Sequence, residues 1–140
     1  MKPETLEARL LKRIARKRGD VFLRADFADL GDYDQVGRVL RGLVRQGRLM
    51  KMGYGLYTRT RPSVLDGAPT PVKGLRALAS EALARLGVET APTRLEQAYN
   101  AGETTQVPTG RVVGVTRRVR RKIGYGGFSL SFERAGPALR

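Results

Sequence analysis

The sequence predicts an α+β chain of two small domains, and three observations lead there. Helical and alternating hydrophobic periods succeed one another within the first 61 residues, three prolines and a glycine crowd residues 61–71, and a second helix-then-strand pattern follows. The expected division is 1–61, a linker at 62–71, and 72–140.

The first helix is expected from about Pro3 to Arg18, because Leu6, Leu10, Leu11, Ile14 and Ala15 recur at helical spacing before Gly19. Val21 and Phe22 suit a short extended piece, and Arg24 to Leu30 a two-turn helix closed by Gly31. Asp32 with Gln35 three residues on is a capping-box pattern that opens a third helix ending at Gly47. Leu49–Met52 and Leu56–Thr58 alternate as strands, joined by a tight turn that Gly53 and Gly55 permit. This order of helix, short helix, longer helix and hairpin is that of a winged helix-turn-helix.

Past the proline-rich stretch, Val72, Leu75, Leu78, Ala79, Ala82, Leu83 and Leu86 mark another amphipathic helix, and a short one is expected over Arg94–Asn100. Strands are expected at Val112–Thr116, Arg120–Ile123 and Phe128–Glu133.

The chain has neither cysteine nor histidine, which excludes disulfides, thiolate or imidazole metal sites and histidine-based triads. No carboxylate pair has a catalytic setting, no phosphate loop is present, and "GYGG" at 124–127 does not lead into a helix. We therefore expect no enzyme and no cofactor. No apolar run is long enough to span a bilayer and the amino terminus has no secretory core, so a cytoplasmic protein is expected.

Charge is the strongest compositional fact: 27 Lys plus Arg against 13 Asp plus Glu give a formal +14. A polyanion is the natural partner, nucleic acid first. An anionic membrane would favour an amphipathic helix with spare apolar residues, and the stripes here are all needed for cores.

On a helical wheel the third helix gathers Val36, Val39, Leu40, Leu43 and Val44 on one side and Asp34, Arg38, Arg41 and Arg45 on the other. In a helix-turn-helix this is the helix that enters the major groove of double-stranded DNA. Arg38 and Arg41 are the candidates for guanine edges, since the guanidinium fork matches O6 and N7. Gln35 suits adenine, Asp34 suits cytosine N4 unless it caps the helix, and Arg45 suits phosphate. In the wing, Lys51, Arg59 and Arg61 can reach phosphates and Tyr54 at the tip can donate a hydrogen bond or enter the minor groove. For Arg24, a phosphate contact and simple exposure are both open. The dense cations Arg117, Arg118, Arg120, Arg121 and Lys122 fit a second nucleic-acid surface, a dock for an acidic partner, or a protected edge strand. The competing function is an RNA- or ribosome-associated basic protein that uses this second patch.

The stretch "GDVFLRADFADLGDYDQVGRVLRGLVRQGRLMKMGYGLYTRTRPS" resembles the amino-terminal winged helix-turn-helix of AbiEi-type antitoxins from bacterial type IV toxin-antitoxin pairs. It shares the "VF" start, the short helix ending in "LG", the "V..VL..LV..G.L" helix and the "G.GLY" wing. "PTRLEQAYNAGETTQVPTGRVVGVTRRVRRKIGYGGFSLSFERA" is similar to the carboxy-terminal part of short members, with Glu103-Thr104 where a leucine-serine pair is usual. The resemblance implies a repressor that binds inverted repeats in its own promoter and opposes an AbiEii-like nucleotidyltransferase toxin. It carries Gln35, Arg38, Arg41, Arg45 and Lys51 over as DNA-facing and transfers no catalytic residue.

Overall fold

The computed structural model describes residues 3–136 and divides into two units, which meet in sequence at Gly74–Leu75. Helices and short sheets mix in both, an α+β architecture.

In the first unit, α1 (Leu6–Arg16) starts on Thr5, whose hydroxyl accepts from the Ala8 N–H. The strand β1 (Val21–Leu23) leads into a single 3-10 turn, Arg24–Phe27. The sequence predicts two α-turns here, and Arg13 explains the difference. Its guanidinium donates to the Asp26 carbonyl at 2.9 Å, the acceptor that Leu30 N–H would use in an α-helix, and Leu30 bonds Phe27 instead. The helix α2 (Tyr33–Arg45) is capped by Asp32, which accepts from Gln35 N–H at 2.8 Å. It ends on Gly47, whose φ of 76° lets Arg48 N–H reach back to the Leu43 carbonyl.

The strands β2 (Leu49–Gly53) and β3 (Leu56–Pro62) form the expected hairpin, with an irregularity between Lys51 and Gly53. β3 is central: β1 pairs along its other edge, Val21 opposite Thr58 and Leu23 opposite Leu56. Leu10, Ile14, Phe22, Phe27, Val36, Leu40, Leu43, Leu49 and Tyr57 make one core, in which each fully buried large side chain contributes about 1.5–3 kcal/mol. α2 is thus pinned by its apolar side, and its opposite side faces solvent.

The stretch expected to be a linker also holds structure. Within it β4 (Pro69–Pro71) pairs antiparallel with the end of β3, Thr60 opposite Pro71 and Pro62 opposite Pro69. An edge position tolerates proline because no neighbour asks for its missing N–H. Val64 and Leu65 stand almost fully exposed on the intervening turn.

The second unit begins with α3 (Leu75–Arg85), which buries Leu78, Ala79, Ala82 and Leu83. β5 (Thr90–Ala91), β6 (Val112–Val115) and β9 (Ser131–Arg134) form a sheet in that order, β6 and β9 parallel. Gly114 allows this closeness, since a Cβ there would overlap the Ala91 carbonyl. α4 (Arg94–Asn100) matches its predicted span and carries a Thr93–Glu96 capping box. Glu96 also pairs with Arg76 at 2.9 Å. Burial alone would raise the Glu96 carboxyl, and bonds from Thr93 and Arg76 outweigh it, so it titrates below the usual glutamate range.

Two predicted strands change. Residues 117–123 are irregular, and the next strand is β7 (Gly124–Tyr125), hairpinned to β8 (Phe128–Ser129). The expected Phe128–Glu133 strand is split at buried Leu130, where the chain passes from the hairpin to the β9 ladder.

Candidate nucleic-acid interface

Along α2, Asp34, Gln35, Arg38, Arg41 and Arg45 are all exposed. Among the described residues, Arg38, Arg41 and Arg45 join no ion pair and no side-chain hydrogen bond. Three uncompensated guanidinium groups therefore occupy one helix face, with ends free to meet an anion. Lys51 on β2 is exposed and likewise unpaired. Asp34 is not the cap, since Asp32 fills that role, so its carboxylate stays on the solvent side.

Helix and hairpin are fastened together. Tyr33 and Tyr54 hydroxyls lie 2.9 Å apart, joining the first turn of α2 to the hairpin tip. This bond, followed by burial, raises the Tyr33 phenol above its ordinary pKa. The Arg24 guanidinium stacks 3.5 Å from the Tyr33 ring centroid and donates to the Tyr33 carbonyl, while Arg24 N–H bonds the Gly55 carbonyl at 3.0 Å. Arg24 thus stands half-buried, with its guanidinium engaged by Tyr33 between the start of α2 and the hairpin. Its Nε is buried without a partner. Gly37 is required beneath it, because a Cβ would run into the same guanidinium.

Arg59 corrects an expectation. The alternation of β3 points to a wing phosphate contact, yet the side chain turns onto the carboxy-terminal end of α1. It donates to the carbonyls of Ile14 and Lys17, both at 2.6 Å, and of Gly19 at 3.2 Å, pairs with Asp20, and lies over Phe22. The Ile14 and Lys17 carbonyls lie at the carboxy-terminal end of α1, where α-helical i+4 donors run out, and a guanidinium fork satisfies several acceptors together.

Three residues to which sequence patterns assign no role join the face. Arg9 of α1 lines, with Gln35 and Arg38, an open groove of about 470 Å³. Exposed Arg48 follows α2 in the turn before β2 and, with Arg61, flanks another groove of about 340 Å³. Tyr33 had no signal in the sequence, because its partner lies across a hairpin.

In the second unit, Arg117, Arg118, Arg120, Arg121 and Lys122 are exposed on the loop before β7. Arg117 reaches the Gly87 carbonyl at 3.4 Å.

Residues 9–139 match the model of DUF6088, a family of unknown function. The chain belongs to the DUF6088 family. No curated protein and no solved structure matches it. Among the described residues of this DUF6088 chain, no three His, Cys, Asp or Glu side chains gather where they could hold a metal ion, and no helix is long and apolar enough to cross a membrane.

Proposed function

We propose that the chain is a cytoplasmic, sequence-specific binder of double-stranded DNA, whose first unit is a winged helix-turn-helix with α2 as recognition helix and β2–β3 as wing. The observation that carries this reading is the exposed, unpaired row Arg38, Arg41 and Arg45 on a helix whose other side is locked into the core. The sheet order β1–β3–β2 around three helical segments supports it. Arg38 and Arg41 read base edges, Gln35 and Asp34 contribute near the helix start, and Arg45 and Lys51 hold phosphates. By the AbiEi resemblance, the operator is an inverted repeat in the protein's own promoter, and the protein opposes a nucleotidyltransferase toxin.

Selection of preferred sites from random duplexes, followed by titration, tests the proposal. Arg38→Ala or Arg41→Ala costs about 1–3 kcal/mol on the selected site and blurs its sequence, whereas Lys51→Ala weakens all duplexes alike. Equal binding of every duplex by the parent chain would refute sequence-specific recognition.

A further inference from the structure

The second unit holds a charge concentration that the duplex-binding reading does not use. Between Glu103 and Glu133 the sequence has no acidic residue and six basic ones, five of them within 117–122. All five are exposed on an irregular loop, and Arg118, Arg120 and Lys122 enter no ion pair among the described residues. Like charges packed this closely repel one another, so the loop lies in a state that an added polyanion would relieve.

The chain leaving this loop is anchored immediately: Ile123 is fully buried and its carbonyl accepts from Leu130 N–H at 2.9 Å. Between those two residues stands the β7–β8 hairpin, turned by Gly126 and Gly127 at φ values of 59° and 84°, the paired positive angles of a tight hairpin turn. Gly124 has no room for a side chain, because a Cβ would overlap the Phe128 carbonyl. This hairpin carries Phe128, which is 56% exposed, directly across from Tyr125. The Arg111 guanidinium sits 5.2 Å from the Phe128 ring centroid.

An aromatic ring held outward on a hairpin, with an arginine over it and a run of cations immediately before it in sequence, offers the pair of features with which proteins grip unpaired nucleotides, bases stacking on the ring and phosphates following the cations. A duplex hides its base faces and gives Phe128 nothing to stack on. An acidic protein would satisfy the arginines and leave the ring idle. We infer that the second unit is a single-stranded nucleic-acid site, with Phe128 and Tyr125 as stacking platform, Arg118, Arg120 and Lys122 as phosphate contacts, and Arg111 steadying the Phe128 ring. The site does not depend on the recognition helix.

Fluorescence anisotropy with the full chain and labelled single strands of about 12 nucleotides, RNA in one arm and DNA in the other, tests this. A mixed-sequence duplex of the same length runs alongside. Single strands bind with strong salt dependence, and the arm with the higher affinity identifies the natural source. Phe128→Ala loses on the order of tenfold for single strands, the effect of one base stack, while Phe128→Trp restores it and neither changes duplex binding. An Arg118→Ala, Arg120→Ala, Lys122→Ala chain flattens the salt dependence for single strands. The Arg38→Ala, Arg41→Ala chain keeps its single-strand affinity, so the two sites are told apart. The inference is overturned if the parent chain binds no single strand, if Phe128→Ala binds as the parent does, or if polyglutamate displaces the strand as well as unlabelled strand does.

Discussion

The hydroxyls of Tyr33 and Tyr54 meet at 2.9 Å across the space between the start of α2 and the β2–β3 tip. Removing either hydroxyl deletes the same bond, so the effects of Tyr33→Phe and Tyr54→Phe are expected to be less than additive in the double variant. Each should lower stability by less than about 1.5 kcal/mol, the ceiling for one such bond, and speed amide exchange at Gly53–Gly55. Hydrogen exchange with chemical denaturation checks this. Additive effects would show that the two hydroxyls do not act as a unit.

Two glycines of α2 should respond in opposite directions to alanine. Gly42→Ala places a Cβ 3.8 Å from the Arg45 guanidinium, ordinary contact, and should stabilise by up to about 1 kcal/mol through helix propensity. Gly37→Ala gains the same propensity but displaces Arg24 from Tyr33, and a net loss of stability is expected. Thermal unfolding of the pair decides. A stabilised Gly37→Ala chain would mean the Arg24 stack is dispensable.

Arg59→Ala should destabilise the first unit by about 2–4 kcal/mol, since charge-assisted bonds to the end of α1 and the stack on Phe22 vanish together. Duplex affinity per folded molecule should be unchanged. A stable variant with weakened DNA binding would return Arg59 to the interface.

What the sequence made legible follows from range. The apolar stripe Val36, Leu40 and Leu43 and the Asp32 cap are local, and they placed α2 and its arginine face correctly. Arg59 misled because strand alternation says which face a residue takes but not what packs against that face, and here it is the end of α1, more than 40 residues away in sequence. Residues 120–123 alternate too weakly, and carry too much like charge, to hold a strand. Pro69 and Pro71 suggested a linker because composition cannot tell an edge strand from a loop. The parallel β6–β9 ladder has no local signature at all.

Asp29 gives a pH dependence. The Arg13 hydrogen bond, above all, holds its carboxyl well below the ordinary 3.8, at about 2. A folded-state value lowered in this way stabilises above the unfolded value and is lost as pH falls through the folded one, so the contribution disappears between roughly pH 4 and pH 2. Unfolding midpoints measured down this range should fall more steeply for the parent than for Asp29→Asn. Parallel curves would show that the pair contributes nothing.

If α2 grips duplex DNA through Arg38, Arg41 and Arg45, the salt dependence of duplex affinity must register their loss. About six phosphate contacts give the parent chain a log–log slope of roughly −5, and replacing all three arginines by alanine should bring it toward zero by about one unit for each phosphate that the variant no longer neutralises. A slope that is the same for parent and variant would place the electrostatic grip elsewhere on the molecule and rule out α2 as the recognition helix.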